Sequence, residues 1–341
     1  MRVPVMQGSV LRSLAPGIAL AAAVAAAAVM VAPLVARIFP LPAMVIALLI
    51  GIALNAVAER PVFREGIEFC VKTLLRWAVA LLGLRIALGD ILALGVLTMV
   101  IVVLSMAATL ASGILLARLL GQNDCYGALA GAGTAVCGAS ATLATSTVLP
   151  PYQGKEADIA FVVIAVNALS TAAMVLYPPL CVLIGLDPQA TGVMLGGTIH
   201  DVAQVVGAGY AVSEPVGNSA VIVKLFRVLL LLPVVIGIGF WFSRGAASAK
   251  VPVPVFAFVF LALCLLNSAI PSLPALAALY APIKSFLIDL SGWGLLIAIG
   301  ALGLGTSLST IARLGWRHLA TLGGTTIVIL LTVTGGLLAL R

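Results

Sequence analysis

The stretch GALAGAGTAVCGASATLATSTVL, residues 127–149, decides how this chain folds. It is apolar and about as long as one membrane crossing, yet it contains Gly127, Gly131, Gly133 and Gly138. Each glycine inside a helix costs about 1 kcal/mol relative to alanine. A continuous helix is therefore disfavoured, and we predict a transmembrane helix that is broken in the middle of the membrane.

Such a break leaves backbone amides without helical partners. The second half of the helix then presents N–H groups and a positive dipole end to an anion. The residues expected to line this site are Gly133, Thr134, Cys137, Gly138 and Ser140. The alternative interpretation is that these small residues serve close helix packing.

The composition of the whole chain predicts an all-α integral membrane protein. Of 341 residues, 63% are apolar and only 9% are charged, and the mean hydropathy is +1.26. Soluble domains carry about 25% charged residues. The apolar runs are continuous and lack the period-two alternation of barrel strands. We therefore expect one multi-pass helical domain over residues 1–341, with the lipid bilayer as its surroundings.

About eleven transmembrane helices are predicted, numbered here as spans one to eleven. They cover residues 14–38, 43–58, 74–89, 91–117, 124–148, 158–184, 188–212, 217–241, 252–271, 283–307 and 318–340. Between spans two and three, charged and apolar residues alternate from Glu59 to Lys72, which indicates an interfacial amphipathic helix.

The positive charges predict the orientation of these spans. Eleven Lys and Arg residues flank the side of the N-terminus, and five, including Lys155, flank the other side. Because basic residues favour the cytoplasm, we expect a cytoplasmic N-terminus and an exoplasmic C-terminus. The net charge of +7 is scattered without a basic tract, so no nucleic-acid partner is expected. The five cysteines lack metal-ligand spacing, so neither a metal nor a cofactor is expected.

An internal similarity suggests two inverted repeats. The segment Gly131–Thr134 in span five resembles Gly303–Thr306 in span ten, and an odd separation of five helices implies inverted topology. Spans two to six, about 43–184, would then pair with spans seven to eleven, about 188–340, preceded by the helix 14–38.

This pairing predicts that span ten is also broken. Gly305, Thr306 and Ser307 would then mirror the site in span five. A rival alignment, of Gly83–Gly95 with Gly303–Gly315, stays open.

Span seven contains the polar segment GGTIHDVAQVVGAG, residues 196–209. In a continuous helix Thr198, Asp201 and Gln204 share one face, and His200 lies one turn below Gln204. Asp201 would lie near the midplane, where a lone carboxylate costs about 2.5–3.5 kcal/mol. It is therefore expected to be protonated or paired. His200, Asp201 and Gln204 are candidates for proton or ion coupling, and a structural ion pair is the alternative.

Span eight offers two cations on one face, Lys224 and Arg227. Either could pair with Asp201. The planar fork of Arg227 also matches an oxyanion, whereas Lys224 could simply snorkel to the interface. Polar side chains of span six, Asn167 with Ser170 and Thr171, are interpreted as interhelical hydrogen bonds.

Three of these segments together resemble the YeiH family of bacterial inner-membrane proteins, which are described as sulfate exporters. The segments are GAGTAVCGASATLAT, GGTIHDVAQVVGAGYAV running into NSAVIVKLFRVLLLLP, and ALGLGTSLSTIARLG. The resemblance spans about Pro16 to Leu340, although family members more often carry Glu at the position of Asp201. It implies membership of the cation/proton antiporter and anion transporter superfamily, with two inverted five-helix units, crossing broken helices and elevator-like transport.

The resulting hypothesis is a secondary transporter that exports a small oxyanion, such as sulfate or a related sulfur oxyanion. Spans five and ten would bind the anion, with Arg227 as countercharge. A cation/proton antiporter that uses Asp201 is the first alternative. An intramembrane enzyme with Cys137 as nucleophile and His200 as base is a remote one, so no enzymatic activity is expected. A homo-oligomer is compatible with all three.

Overall fold

The structure, a computed structural model, describes residues 7–35, 42–243, 254–270, 274–306 and 315–340. All regular secondary structure in these ranges is helical. The α-helices, in chain order, are α1 (Gln7–Val35), α2 (Ala43–Ala53), α3 (Asn55–Ala58), α4 (Pro61–Phe69), α5 (Leu75–Leu81), α6 (Leu88–Ala93), α7 (Gly95–Leu119), α8 (Asp124–Ala135), α9 (Ala139–Ser146), α10 (Lys155–Leu183), α11 (Pro188–Thr198), α12 (Val202–Val212), α13 (Glu214–Leu229), α14 (Leu231–Ser243), α15 (Val255–Ala269), α16 (Pro274–Leu304) and α17 (Trp316–Ala339).

The all-helical membrane architecture predicted from composition is confirmed. In the described part of the chain, six helical stretches are long and apolar enough to cross a membrane. They lie in α1, α7, α10, the pair α13 and α14, α16, and α17. The helices α2, α12 and α15 are apolar but shorter.

The chain divides into two compact units. The first unit comprises Met1–Leu88 and Phe258–Leu308, and the second comprises Gly89–Ala257 and Ser309–Arg341. Every predicted site residue between Gly133 and Arg227 therefore belongs to the second unit.

Glycines allow close helix contacts in the first unit. A Cβ placed on Gly51 of α2 would lie 2.5 Å from the carbonyl oxygen of Gly300 in α16. A Cβ on Gly303 would lie 2.3 Å from the carbonyl oxygen of Leu48. Because any side chain at these positions would collide with backbone, the two helices require glycine where they touch. Asn55 adds a hydrogen bond from Nδ2 to the carbonyl oxygen of Leu304, at 2.8 Å.

The predicted amphipathic helix between spans two and three is present as α4 and a π-helical turn, Cys70–Leu74. Its charged residues Arg64 and Glu65 are exposed, whereas Gly66 and Ile67 are buried. The helix therefore has one polar and one apolar face, as the alternation of residues predicts.

Span five does not cross the second unit. Helix α8 runs inward for 12 residues, about 18 Å, and α9 returns beside it. A Cβ on Gly133 of α8 would lie 2.7 Å from Oγ1 of Thr142 on α9. Cys125 and Leu149, at the two ends of the segment, belong to one cluster of buried apolar side chains. Helices α8 and α9 therefore form a re-entrant helical hairpin, named here the first hairpin.

Span seven reverses in the same way. Helices α11 and α12 are separated by residues 199–201. A Cβ on Gly192 of α11 would lie 2.5 Å from Cβ of Ser219, and one on Gly209 of α12 would lie 2.9 Å from Cα of Gly217. Both outer ends of the segment thus contact the first turns of α13. Helices α11 and α12 form the second hairpin.

Long helices frame the hairpins and show that they enter from opposite ends. Helix α10, with 29 residues, is about 43 Å long and leads from the first hairpin to the second. At one end of the unit, His318 of α17 lies 3.3 Å from the Asp158 carboxylate and packs on the Tyr126 ring. At the other end, Gln189 donates a hydrogen bond to the carbonyl oxygen of Ala93.

Local sequence signals explain where each hairpin begins. The side chain of Asn123 caps α8 by accepting a hydrogen bond from the Cys125 amide, and Asp187 caps α11 through the Ala190 amide. Pro188 occupies the first position of α11, which suits a residue without an amide proton. Both inward helices therefore have defined starts near the ends of the unit.

The helix of span ten is continuous as far as Leu304, and the break predicted near Gly305–Ser307 falls where the described residues end, so it stays a prediction. Helix α16 continues through its glycines to Leu304, with Gly303 against Leu48 of α2 and Gly300 against Val24 of α1. Span seven is discontinuous as well, like span five. The two inward helices also end alike, with Gly133–Thr134 in one and Gly197–Thr198 in the other. Each threonine hydroxyl donates to a carbonyl four residues earlier, at 2.7 and 2.6 Å.

Re-entrant hairpins also correct the predicted topology. Spans five and seven were expected to cross the membrane, so the prediction of eleven crossing helices is wrong for these two spans. Because the first hairpin begins and ends on the same side, Lys155 joins Arg118 at one end of the second unit. The sequence predicts Lys155 on the opposite side, so that part of the charge count is wrong.

This topology can be tested by one-sided chemical labelling. All five native cysteines are buried, so a background without them is expected to tolerate single exposed cysteines. We expect Arg118→Cys and Gln153→Cys to react with an impermeant maleimide from the same face of the membrane. Gln189→Cys should react from the opposite face. Labelling of the first two positions from opposite faces would show that span five crosses.

Candidate functional site at the hairpin tips

The tips of the two hairpins meet inside the second unit. A Cβ on Gly138, at the first tip, would lie 3.7 Å from Oδ2 of Asp201 and 3.8 Å from the His200 carbonyl oxygen, at the second tip. Gly138 has φ +65° and ψ −128°, a conformation that side chains rarely permit. This glycine turns the chain from α8 into α9 while leaving room for the second tip.

Arg227 of α13 binds the carbonyl ends of both inward helices. Its guanidinium donates to the Thr134 and Ala135 carbonyl oxygens of α8 at 2.8–3.0 Å. It also donates to the carbonyl oxygens of Gly196 and Ile199 at the end of α11, at 3.0 and 3.1 Å. Because all three of its nitrogens donate to backbone, Arg227 is a cap shared by two helix ends.

Lys224 binds the tips one turn earlier on α13. Its Nζ donates to the carbonyl oxygens of Val136 at 2.8 Å and Ile199 at 2.9 Å, and to that of His200. An ammonium group has three protons, so these contacts use all of them. Lys224 therefore does not snorkel to the interface but lies fully buried, as Arg227 does.

These contacts explain how two helices can end in the interior. The last carbonyls of a helix have no partners within it, and they form the negative end of its dipole. Buried and unpaired, each would cost about 1–3 kcal/mol. Lys224 and Arg227 supply both the donors and the opposite charge. The expected oxyanion clamp at Arg227 is accordingly not what this geometry supports.

The amide ends of the returning helices form the other pole of the site. Asp201 caps α12, since its Oδ1 accepts a hydrogen bond from the Ala203 amide at 3.0 Å. Gly138 caps α9 without a side chain. Ser140, in the first turn of α9, is exposed, and Asp201 is half-buried. The amide ends of α9 and α12, named here the amide pole, are thus partly exposed. The carbonyl ends of α8 and α11, named here the carbonyl pole, are covered by Lys224 and Arg227.

A polar face of α10 completes the site, and sequence reasoning had interpreted it only as structural. The Asp201 amide donates to Oγ of Ser170 at 3.0 Å. Nε2 of Gln204 donates to Oδ1 of Asn167 at 3.0 Å and lies 3.4 Å from Oγ1 of Thr171. Asn167, Ser170 and Thr171 lie three to four residues apart, on one face of α10. This spacing in the sequence indicates the site once the structure shows that α10 passes the tips.

Other predicted residues are close to the tips but face elsewhere. Oγ1 of Thr134 lies 2.9 Å from that of Thr325 in α17, so this side chain does not line the amide pole. His200 is fully buried, with Nε2 at 3.1 Å from Oγ1 of Thr326. Cys137, at the first tip, is 5% exposed.

The residues predicted in span ten belong to the first unit. Thr306 is buried there, and its hydroxyl donates to the Leu302 carbonyl oxygen at 2.8 Å. Gly305 is exposed next to it. Ser307 lies outside the described residues. Helix α16 ends at Leu304, directly before these three residues, so their correspondence to the site in span five stays a prediction.

Removing either buried cation should destabilise the protein strongly. We expect Arg227→Met and Lys224→Met each to leave several buried carbonyls without donors, at about 1–3 kcal/mol per group. Thermal unfolding in detergent, followed by intrinsic fluorescence, would measure the loss. Arg118→Met is the matched control, because the Arg118–Asp124 ion pair is exposed and should matter little. Equal melting temperatures for all three variants would contradict the capping role.

Comparison with known proteins supports a membrane protein family. The family model described as Conserved hypothetical protein 698 matches residues 16–322. The UPF0324 membrane protein TauZ of Paracoccus pantotrophus is 42% identical over 323 residues, which is 94% of each chain. A UPF0324 membrane protein of Chlorobaculum tepidum is 40% identical over 295 residues, 86% of this chain and 82% of the relative. No solved structure matches.

A third relative, a UPF0324 membrane protein of Rhizobium meliloti, is 40% identical over 334 residues, 96% of this chain and 94% of its own. These relatives are named membrane proteins, which agrees with the long apolar helices of this structure. The matches are also consistent with the resemblance to the YeiH family. The chain therefore belongs to the UPF0324 family of membrane proteins, the family of Conserved hypothetical protein 698.

Proposed function

We propose that the protein is a secondary transporter of a small oxyanion, which binds at the amide pole between the hairpin tips. Sulfate, or a related sulfur oxyanion, is the first substrate to test. The observation that carries this proposal is the asymmetry of the tips. Lys224 and Arg227 occupy the carbonyl ends of the inward helices, while the amide ends of α9 and α12 lie beside the partly exposed Ser140 and Asp201.

The charges at the tips support an anion as the cargo. Lys224 and Arg227 contribute two positive charges, against one negative charge from Asp201. Both cations are fully buried, and the helix dipoles at α9 and α12 also point their positive ends toward this region. A bound anion would therefore offset an excess of positive charge, whereas a bound metal cation would add to it.

The carbonyl oxygens at the tips argue in the same direction. Metal cations such as Mg²⁺ and Ca²⁺ need several oxygen ligands. Carbonyl groups that could serve as such ligands, those of Val136, Ile199 and Ala135, already accept hydrogen bonds from the two cations. The half-buried carboxylate of Asp201 favours the alternative function, a cation/proton antiporter. Flux assays in proteoliposomes distinguish the two functions.

The proposed arrangement includes an inverted pair of hairpins. The hairpins enter the second unit from opposite ends, and each inward helix has Gly-Thr in its last turn, as expected if the pair descends from one ancestral unit. Substrate sites of transporters with such repeats lie near the midplane, at the ends of broken helices. This pairing of spans five and seven is proposed as an alternative to the predicted pairing of spans five and ten.

Orientation in a bacterial inner membrane follows from the charges at the two ends of the second unit. Arg118, Lys155 and Arg317 lie at the end where the first hairpin enters, and Asp187 and Glu214 lie at the other. We propose that the first hairpin enters from the cytoplasm. Export of a dianion down a potential of 100 mV is favourable by about 4.6 kcal/mol.

Sulfate flux into proteoliposomes tests the proposal. We expect saturable uptake of radiolabelled sulfate that responds to an imposed membrane potential. Ser140→Leu should reduce kcat/KM by about tenfold or more, because the larger side chain covers the exposed amide end of α9. Ser146→Leu, at the far end of the same helix, is the matched control and should transport normally.

Two results would contradict this proposal, the first its binding site and the second anion transport itself. Equal sulfate flux in both serine variants would place the anion elsewhere. Exchange of protons for K⁺ or Na⁺ that needs Asp201, without any sulfate flux from folded protein, would establish the antiporter instead. Size-exclusion profiles and melting temperatures verify that each variant is folded.

A further inference from the structure

We propose that the ionised carboxylate of Asp201 occupies the position where the substrate anion binds, and that it leaves this position to the substrate when it takes up a proton. Each substrate anion would then travel with one proton, bound to Asp201. This inference rests on the proposed anion transport and specifies how protons couple to it.

Asp201 lies at the N-terminal end of α12, beside that of α9. Its Oδ1 accepts a hydrogen bond from the Ala203 amide in the first turn of α12, at 3.0 Å. Its Oδ2 lies 3.7 Å from the point that a Cβ on Gly138 would occupy, and Gly138 is the residue that caps α9. The carboxylate therefore lies where the amide ends of both returning helices converge. A negative group at a helix N-terminus interacts with the same amides and dipole as a free anion would.

A substrate anion that approaches these amides meets a like charge. Two negative groups in contact inside a protein repel strongly, and such pairs normally retain a proton on one member. Protonation of Asp201 removes the repulsion and leaves the amide ends to the substrate. Proton binding and anion binding must then strengthen each other by the same factor, since their coupling is reciprocal.

The other charged and titratable groups around Asp201 have different roles. Lys224 and Arg227, on α13, donate to backbone carbonyls and retain those partners with or without a substrate. His200 and Cys137, at the tips, are buried. From α10 the neutral Asn167, Ser170 and Thr171 face this region. Helices α9 and α14 contain no ionisable side chain, and that of α12 is Tyr210, whose hydroxyl donates to Oδ1 of Asn218 at 2.7 Å. Asp201, being half-buried, is the ionisable group that solvent protons and a substrate both reach.

The inference predicts the charge that moves with each anion. A sulfate dianion together with one proton transfers one negative charge per cycle. In Asp201→Asn the neutral amide has the same shape, and its oxygen can still accept from the Ala203 amide. This variant should carry sulfate without a proton and transfer two negative charges. It should therefore remain a transporter, which distinguishes displacement by a proton from a simple loss of a binding group.

Binding of radiolabelled sulfate to purified protein, between about pH 5 and pH 8, measures the linkage. Sulfate remains a dianion across this range. For the wild-type protein we expect the Kd to rise by about tenfold per pH unit once Asp201 is ionised, as for one linked proton. For Asp201→Asn we expect a Kd that is independent of pH, and tighter than the wild-type value at the alkaline end. Asp201→Ser, which keeps the helix cap without the charge, provides a second variant.

Two control variants show whether the pH dependence of sulfate binding comes from Asp201 or from another titratable group. Asp158→Asn alters a carboxylate at the end of the unit, next to His318, and should retain the wild-type pH dependence. His200→Gln should also retain it. Loss of the pH dependence in His200→Gln, or its persistence in Asp201→Asn, would overturn the inference.

Further outcomes distinguish this inference from the proposed function. Sulfate binding by the wild-type protein that does not vary with pH would leave anion transport standing and overturn the role of Asp201. The same charge per sulfate in wild type and Asp201→Asn, measured as current against tracer flux, would do so as well. No sulfate binding by any of the folded proteins at any pH would overturn both.

Discussion

The structure of the second unit depends on two cations of one helix that cap two other helices. Helices α8 and α11 end in the interior, where water is not available to their last carbonyl groups. Lys224 and Arg227 provide the donors, and each cation contacts both hairpin tips. Helix α13 thereby fixes the depth of the tips and their distance from each other. Without these contacts, a re-entrant hairpin would leave unpaired backbone groups inside the membrane.

The same contacts divide the tips into a closed pole and an open one. The carbonyl ends are covered by side chains of α13, whereas the amide ends of α9 and α12 lie next to half-buried or exposed residues. A protein interior that presents amide groups and an excess of positive charge is suited to an anion. The polar side chains of α10 lie beside this region and bond to Asp201 and Gln204, so they orient the second tip as well.

Glycine has two separate uses in this chain. Gly138 takes up a backbone conformation that ends one helix and starts another, and it is the turn of the first hairpin. Gly51 and Gly303 lie in continuous helices of the first unit, where they let two backbones touch. The long helices α7, α10 and α17 frame the hairpins, because they pack against the hairpin helices.

Sequence alone determined the membrane class, the helical architecture and most residues of the site. Composition excludes a soluble domain, and the glycines near Gly138 predict the break in span five. The unusual polar residues of spans seven and eight that meet at the tips are His200, Asp201, Lys224 and Arg227. Each of these inferences depends on local properties, namely hydropathy, helix propensity and the cost of burying a charge.

Tertiary structure decided the direction of the chain after each break and the partners of the charges. A helix that breaks and continues across the membrane has the same composition as one that breaks and returns, so span five was predicted to cross. Asp201 was placed on the face of a continuous helix, yet it caps α12. Glycines in span ten favour a break, yet Gly303 lies inside α16, where it allows close contact with the neighbouring helix α2. Sequence cannot distinguish these cases, because the deciding contacts join residues that are far apart in the chain.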